Sequence, residues 1–507
     1  MRTNLEKQFP RNDVSGPLKK QSWVQLLALL LCLAASPWLC RAESTKPNVV
    51  IFLIDDMGWK DLGCFGARLY ETPNIDALCA AGTRFTAAYT TAAICSPARA
   101  GLMTGMHHVR LGMWNHLHYI RPGLPILPSF LQTAGYQTWH VGKWHMGNPN
   151  DKTMPTDLGF DVNVGGGIAW GPGSYFWPYG CRADGTGKNL RNSVPSLFAG
   201  GQEGEYLTDR LTEEALKLID RRDPDRPFYL NLWHYAVHQK HEAKPELVEK
   251  YARKIKALGI EHSFRLDPKT GSELVTSEDN AVYAAMIDSV DQSIGRIVDR
   301  LKREHLYENT LFVFYSDNGP VTDAVPCPPL NGGKNSTYEA GERVPAFVTW
   351  PGRVKAGKSC EAPISIADMF FTVLDAAGIA PPNRDRDGIS LLPYFQGGTI
   401  PAREFFWYFP DSRPHWGQRA NAALRSREGF KYVMFFNGDP DELYNLNTDP
   451  AEAHDLIGQH PEEAEAMRKR LVSLLAPFYS EMPPPHKKFR EGVEDRLGIK
   501  AASGTDN

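Results

Sequence analysis

The run Val49-Val50-Ile51-Phe52-Leu53-Ile54 is unbroken in its apolar character and stops abruptly at Asp55-Asp56. It is too short for a helix and rich in β-branched residues, so it reads as a strand buried on both faces, which requires helices on either side of a sheet. Two adjacent carboxylates at the carboxyl end of such a strand stand where open α/β sheets place their ligands. Taken alone, the pair could equally be a solvated turn. The same arrangement recurs at Thr310 to Tyr315, an apolar strand that ends in Ser316-Asp317-Asn318-Gly319. The recurrence disfavours the turn reading and makes Asp55, Asp56, Asp317 and Asn318 a candidate ligand set. They offer only oxygen, which selects a hard cation such as Ca²⁺ or Mg²⁺ over zinc.

Further elements alternate between helix and strand. Thr72 to Gly82 predicts a helix with Pro near its start and Gly after its end, and Thr83 to Tyr89 a strand. A helix at Leu127 to Ala134 precedes a strand at Gln137 to Val141, which runs into Gly142-Lys143-Trp144-His145. Lys143 and His145, two apart, can point the same way from an extended segment. From 157 to 192 Gly, Trp, Tyr and Pro follow no steady period, which reads as a long loop that suits either sugar rings or simple surface packing. Tyr206 to Arg221 reads as a helix, Pro227 to Trp233 as a buried strand leading into His234 and His238, and Lys240 to Lys256 as a charged helical excursion. Glu278 to His305 has apolar residues at helical spacing. Val344 to Trp350 predicts a strand and Ile364 to Ala377 a helix. After about Ser390 the pattern changes to short strands at 404–408, 422–426, 430–436 and 442–445, then a helix at 461–475.

Cys95-Ser96-Pro97-Ala98-Arg99-Ala100-Gly101-Leu102-Met103-Thr104-Gly105 carries the chemistry. Pro97 suits the first turn of a helix, which sets Cys95 at the helix N-terminus facing the positive end of the dipole, with Arg99 one turn on along the same face. A lone Cys-x-Pro-x-Arg is as often a buried cysteine beside an N-cap serine. All eleven residues together resemble the signature of type I sulfatases, and the resemblance extends from about Lys46 to about Leu475.

That resemblance implies an alkaline phosphatase-like α/β fold, with a large central mixed sheet flanked by helices and a small C-terminal antiparallel sheet packed with one helix. It implies that Cys95 is oxidised after translation to formylglycine by a formylglycine-generating or sulfatase-maturating enzyme. It also implies that Asp55, Asp56, Asp317 and Asn318, with an oxygen at position 95, hold one Ca²⁺, with Mg²⁺ the less favoured alternative. By the same resemblance the aldehyde hydrate attacks sulfur, aided by Arg99. His238 protonates the departing alcohol, Lys143 and Lys334 neutralise the sulfuryl oxygens, and His145 takes the proton when sulfate leaves. The substrate class is a sulfated small molecule or glycan. Rival readings are a phosphomonoester or phosphodiester hydrolase of the same superfamily and a non-catalytic protein that binds sulfated glycans.

The chain has 507 residues and a formal charge of −3. Residues 1–42 hold six of its Lys/Arg and two of its Asp/Glu, so the remainder carries −7. A mildly acidic chain is a poor polyanion trap, so nucleic acid is excluded as a partner and a sulfate must be held by local cations. Residues 1–42, with Lys19-Lys20 before an apolar run and small residues at its end, read as a signal peptide. Export to a periplasmic, secreted or lumenal compartment follows, with no stable membrane span once the leader is removed. The expected domains are a catalytic one at 43–389, a small α+β subdomain at 390–482 and a polar tail at 483–507. Apart from Cys95 and the leader, five cysteines remain, enough for two disulfides whose pairing the sequence does not give.

Overall fold

The computed structural model describes residues 46–187, 189–266, 273–322, 325–410, 419–481, 485 and 487–499. The expected signal peptide lies outside the described residues. The strands in chain order are β1 (Asn48–Ile54), β2 (Thr83–Tyr89), β3 (Gln137–Gly142), β4 (Val162–Val164), β5 (Phe228–Trp233), the pair β6 (Phe264–Leu266) and β7 (Glu273–Val275), β8 (Thr310–Ser316), β9 (Arg343–Thr349), β10 (Lys358–Cys360) and β11 (Ile364–Ser365). Nine of them form one sheet in the order β10-β2-β9-β8-β1-β5-β3-β4, with β11 also on β2. β1 runs parallel to β5 and β8, while β9 is antiparallel to β8 and β2, so the sheet is mixed, as expected.

The apolar run at 49–54 is buried on both faces because its residues feed two cores with a period of two. Val50, Phe52 and Ile54 join one cluster with helices α1 (Pro73–Ala80), α4 (Leu207–Asp220) and α6 (Ala281–Arg303). Val49, Ile51 and Leu53 join the other with α2 (Cys95–Thr104), α3 (Leu127–Thr133) and α7 (Asp368–Ala376). Another helix, α5 (Pro245–Leu258), packs on α6. Asn280 starts α6 by accepting the Tyr283 N–H, and three basic residues close its last turn against the negative end of the dipole. Its Val290, Ile294, Ile297 and Leu301 are fully buried. Truncating Ile294 to Ala would cost about 2–5 kcal/mol through the cavity left against the sheet.

The C-terminal strands β12 (Phe405–Phe409), β13 (Asn421–Arg425), β14 (Phe430–Phe435) and β15 (Glu442–Asn445) form an antiparallel sheet in sequential order. One face, with Trp407, Val433 and Phe435, packs against Tyr89 and Tyr338, and the Trp407 indole N–H donates to the Thr90 carbonyl at 2.8 Å. The other packs on α8 (Pro461–Leu475).

Two expectations need correction. Ile364 and Ser365 do not begin a helix. They extend the edge of β2, and Asp368 accepts the Ser365 N–H and opens α7 only after them. The polar tail contains a further helix, α9 (Lys487–Leu497), whose Val493 and Leu497, four apart on one face, are buried beside Leu471 and Leu475 of α8.

Candidate active site

The register Ile54↔Ser316 between parallel neighbours sets Asp55 beside Asp317. Pairing continues past both strands: Asp317 N–H donates to Ile54 O at 3.1 Å, Asp55 N–H to Ala236 O at 3.0 Å, and Val237 N–H to Asp55 O at 2.8 Å. The tip of β1 is thereby tied to the tips of β8 and β5. Asp56 turns away with φ of 62°, a left-handed conformation that aspartate tolerates better than most residues. It is held there because its N–H donates to Asp317 Oδ1 and the next N–H, of Met57, donates to Ser316 Oγ.

α2 begins at Cys95 and ends at Gly105, whose φ of 68° gives the left-handed C-cap. Gly101 packs so tightly that a Cβ would meet Thr91 Oγ1 at 2.3 Å, which seats the helix against the segment that links it to β2. One turn in, Arg99 is fully buried. Its guanidinium lies 2.8 Å from Asp317 Oδ2 and 3.6 Å from Asp55 Oδ1, and donates to Lys143 O at 3.0 Å. Lys143, just beyond β3, places Nζ 2.5 Å from Asp55 Oδ2. Lys334 donates to both Asp56 oxygens, at 2.6 and 2.8 Å, and Asn318 donates to Asp56 Oδ1 at 2.7 Å. The Pro-rich stretch before Lys334 places it through Lys334 N–H donating to Pro320 O.

Ligand atoms of Asp55, Asp56, Cys95 and His238 all lie within 4.8 Å of one another. Two more observations fit a hard cation here. Asp55 Oδ1 and Asn318 Oδ1 are buried without a hydrogen-bond partner, and every non-thiol, non-imidazole donor is an oxygen. His238 Nδ1 pairs with Gln239 O at 2.5 Å as donor, which leaves Nε2 toward Asp56 Oδ2 at 3.7 Å as the nitrogen that gains or loses a proton. His145 Nδ1 is buried and unpartnered, and its backbone is fixed by Gly167 O. His234, the other histidine after β5, is buried against Ser293 at 3.0 Å instead.

Electrostatics follow from three carboxylates and three cations brought together out of water. Burial opposes the charge on Asp56, but Lys334, with Lys143, outweighs it and holds the carboxyl below its usual range. Burial pushes Asp55 well up, with Lys143 opposing and Asp317 and Asp56 adding to the rise. Burial opposes the charge of Arg99 as well, yet Asp317 and Asp55 more than restore it. Burial raises the Cys95 thiol in spite of Lys143 and Lys334, leaving it protonated and a weak nucleophile as a thiol. Burial, then neighbouring cations, hold His145 and His238 well below the usual imidazole value.

The cluster opens into a pocket of about 540 Å³ whose wall includes Cys95, His145, His238 and Lys334. All ten residues singled out from the sequence thus converge: Asp55, Asp56, Cys95, Arg99, Lys143, His145, His238, Asp317, Asn318 and Lys334. Sequence reasoning did not find His116 or Asn335, which also line the pocket. Neither lies in a periodic segment or at a strand end. Trp170, a third lining residue, falls inside the aromatic stretch at 157–192 without being distinguished there.

Comparison with known proteins gives the family. Residues 47–379 match the family model described as sulfatase, and 333–477 the model described as N-sulphoglucosamine sulphohydrolase, C-terminal. N-acetylgalactosamine-6-sulfatase of Canis lupus familiaris is 33% identical over 76% of this chain and 72% of its own. Arylsulfatase A of Homo sapiens is 29% identical over 87% of this chain and 89% of its own. Among solved structures, Ps i-CgsB in complex with a neocarrahexaose superposes with a TM-score of 0.71 at 29% identity, covering 89% of this chain and 97% of that one. No helix among the described residues is long and apolar enough to cross a membrane.

Proposed function

The chain belongs to the sulfatase family and is a sulfuric ester hydrolase, and from that premise we propose that it cleaves sulfate monoesters of carbohydrates at the Cys95 pocket, with Cys95 carried as formylglycine and one Ca²⁺ at the strand tips. The observation that carries this reading is the pair of buried, unpartnered oxygens, Asp55 Oδ1 and Asn318 Oδ1, beside Cys95 and within a ring of three cations. Asp55, Asp56, Asp317 and Asn318 would hold the ion. When present, the hydrated aldehyde supplies a nucleophilic oxygen that the thiol lacks, and the cation supplies Lewis acidity.

The chain's own residues do the rest. Arg99, fixed by Asp317 and Lys143 O, directs its charge at position 95. Lys143 and Lys334 neutralise the charge that spreads over the sulfuryl oxygens. His238 is neutral in the protein alone. A bound sulfate ester brings negative charge beside it, which favours the protonated form and equips Nε2 to protonate the departing alcohol. His145, kept neutral by burial, receives the proton released at position 95. Magnitudes require this convergence. A rate gain near 10¹⁷ means about 23 kcal/mol of barrier removed, and one preorganised donor supplies about 3–4 kcal/mol.

The carbohydrate reading draws on two of these proteins, one named N-acetylgalactosamine-6-sulfatase and the other, Ps i-CgsB, solved in complex with a neocarrahexaose. Export through residues 1–42 and maturation of Cys95 by a formylglycine-generating or sulfatase-maturating enzyme belong to the same proposal. Its test is hydrolysis of p-nitrophenyl sulfate against p-nitrophenyl phosphate after chelation, with Ca²⁺ or Mg²⁺ restored. Preference for the sulfate and recovery with Ca²⁺ are expected; preference for the phosphate would overturn the reading.

A further inference from the structure

A line of rings leads outward from the pocket floor, and the chemistry above makes no use of it. His116 lies 6.4 Å from His145, centroid to centroid, and 4.9 Å from Trp170, inclined to it by 31°. The Arg191 guanidinium sits 5.4 Å from the Trp170 ring centroid. Trp170 N–H also donates to Arg191 O at 3.0 Å, so backbone and side chain both fix the arginine to the tryptophan. The next residue, Gly171, presses on His238: a Cβ there would come within 2.7 Å of His238 Nδ1. Trp170 and His238 thus line the same pocket, with Gly171 packed on the Nδ1 edge of the imidazole. Its Nε1 is buried and has no hydrogen-bond partner.

Arg191 is exposed and makes no ion pair among the described residues. Elsewhere on the surface, Arg210, Arg296, Arg300 and Arg468 each meet a carboxylate. A guanidinium held in place over an aromatic face, with its donors uncommitted, is suited to a planar or tetrahedral anion. The ester sulfate is already provided for on the pocket floor by Lys143 and Lys334. The anion that Arg191 would meet is a second one, farther out along the same molecule.

We propose that His116, Trp170 and Arg191 form the subsite for the sugar ring that bears the ester, and that Arg191 binds a second anionic group, sulfate or carboxylate, of an acidic glycan. This rests on the sulfatase reading and narrows its substrate class from sulfated carbohydrates at large to those carrying a second negative charge. A neutral sugar with one sulfate would fill the floor and leave Arg191 unengaged.

The test is titration calorimetry on full-length, Ca²⁺-loaded protein in a Cys95→Ala background, which stops turnover. Probes are monosulfated amino sugars with glucosamine and galactosamine cores, their disulfated counterparts, and monosulfated disaccharides that contain a uronate. We expect a second anion to tighten binding about 10-fold, Arg191→Gln to remove that gain, and affinity for inorganic sulfate to stay within 2-fold. Whether the disulfated or the uronate probes show the larger gain identifies the anion. Trp170→Ala should weaken every saccharide and spare inorganic sulfate. No gain from a second anion, a gain that survives Arg191→Gln, or no saccharide binding at all would overturn the proposal. p-Nitrophenyl sulfate turnover by the wild-type chain, measured in parallel, separates the outcomes: its absence would count against the sulfatase mechanism, while the binding comparison still decides the role of Arg191.

Discussion

The strand-tip cluster and the cluster around Lys431 each hold three buried carboxylates, yet they differ in how many cations face them. At the strand tips, Asp55, Asp56 and Asp317 meet Arg99, Lys143 and Lys334, each cation arriving from a different segment. Asp56 is held below its usual range as a result, while burial still lifts Asp55. At the seam between the two sheets, Lys431 Nζ lies 3.1 Å from Glu339, 3.1 Å from Glu452 and 3.7 Å from Glu342, and Arg343 meets Glu339 at 3.4 Å. Here Lys431 and Arg343 overcome burial at Glu339 and hold it below its usual range, but at the other two acids burial outweighs the lysine. Burial raises Glu342 well up, and raises Glu452 to about 7 with the charge of Glu339 adding to the shift. Where positive groups match the acids and two oxygens stay unpartnered next to a pocket, the cluster is built to receive a charged ligand. Where acids outnumber a central lysine, burial favours the protonated form of the surplus, and the cluster works as a joint between the short helix Glu339–Glu342, β14 and the loop at 452.

Removing the central cation of the joint should have the largest effect on stability and the least on chemistry. Lys431→Met leaves uncompensated buried carboxylates and is expected to cost about 3–5 kcal/mol. This would read as a lower denaturation midpoint, with kcat per folded molecule within about 2-fold of wild type. A comparable loss of kcat would erase the distinction between the clusters. At the strand tips the expectation reverses: Lys334→Met should lower kcat by about 10²–10³, or roughly 3–4 kcal/mol of barrier. With Ca²⁺ present to balance Asp56, its midpoint should move far less than that of Lys431→Met.

Proton linkage offers a third contrast. Glu452 titrates near 7 in the folded chain against an ordinary 4.5, so between those values the folded state holds more protons than the unfolded one. Its contribution is present below about pH 4.5 and is lost as pH rises through 7, by no more than about 3 kcal/mol. Glu452→Gln should flatten this part of the Tm profile. Buried His107, His140 and His234, each lowered by burial to about 3, act in the opposite sense from pH 3 to 6.5, but equally in wild type and variant, so the difference between the two isolates Glu452. The smallest expected effect is on Ca²⁺ linkage. Ca²⁺ at about 100 times its Kd should add about 2.7 kcal/mol to stability, seen as a higher Tm. Lys431→Met should keep that response and Asp317→Asn should lose most of it.

The two clusters also differ in how far the sequence reveals them. Asp55, Asp56, Asp317 and Asn318 follow apolar strands directly, and Cys95 and Arg99 share one helix turn, so each carries a local signal. Parallel pairing of β1 with β8 then brings the two acidic tips together. Lys334 was less legible, since prolines break any period before it and only the folded loop delivers Nζ to Asp56. The joint has no local signature. Lys431 stands second in a short strand, and its bond to Glu339 spans 92 residues, a separation at which neither propensity nor spacing speaks. His116 and Arg191 were missed because neither carries a local signal, and the fold brings both to Trp170. In α9 charged residues surround Phe489, Val493 and Leu497, three apolar positions at helical spacing that the polar composition of the tail masks.

Mass spectrometry of the peptide containing Cys95, run on preparations of graded sulfatase activity, tests the central claim most directly. Specific activity on p-nitrophenyl sulfate should rise in proportion to the fraction of position 95 that has exchanged sulfur for an aldehyde oxygen, and should extrapolate to zero for the thiol. Full activity in a preparation whose Cys95 is entirely thiol would contradict the account.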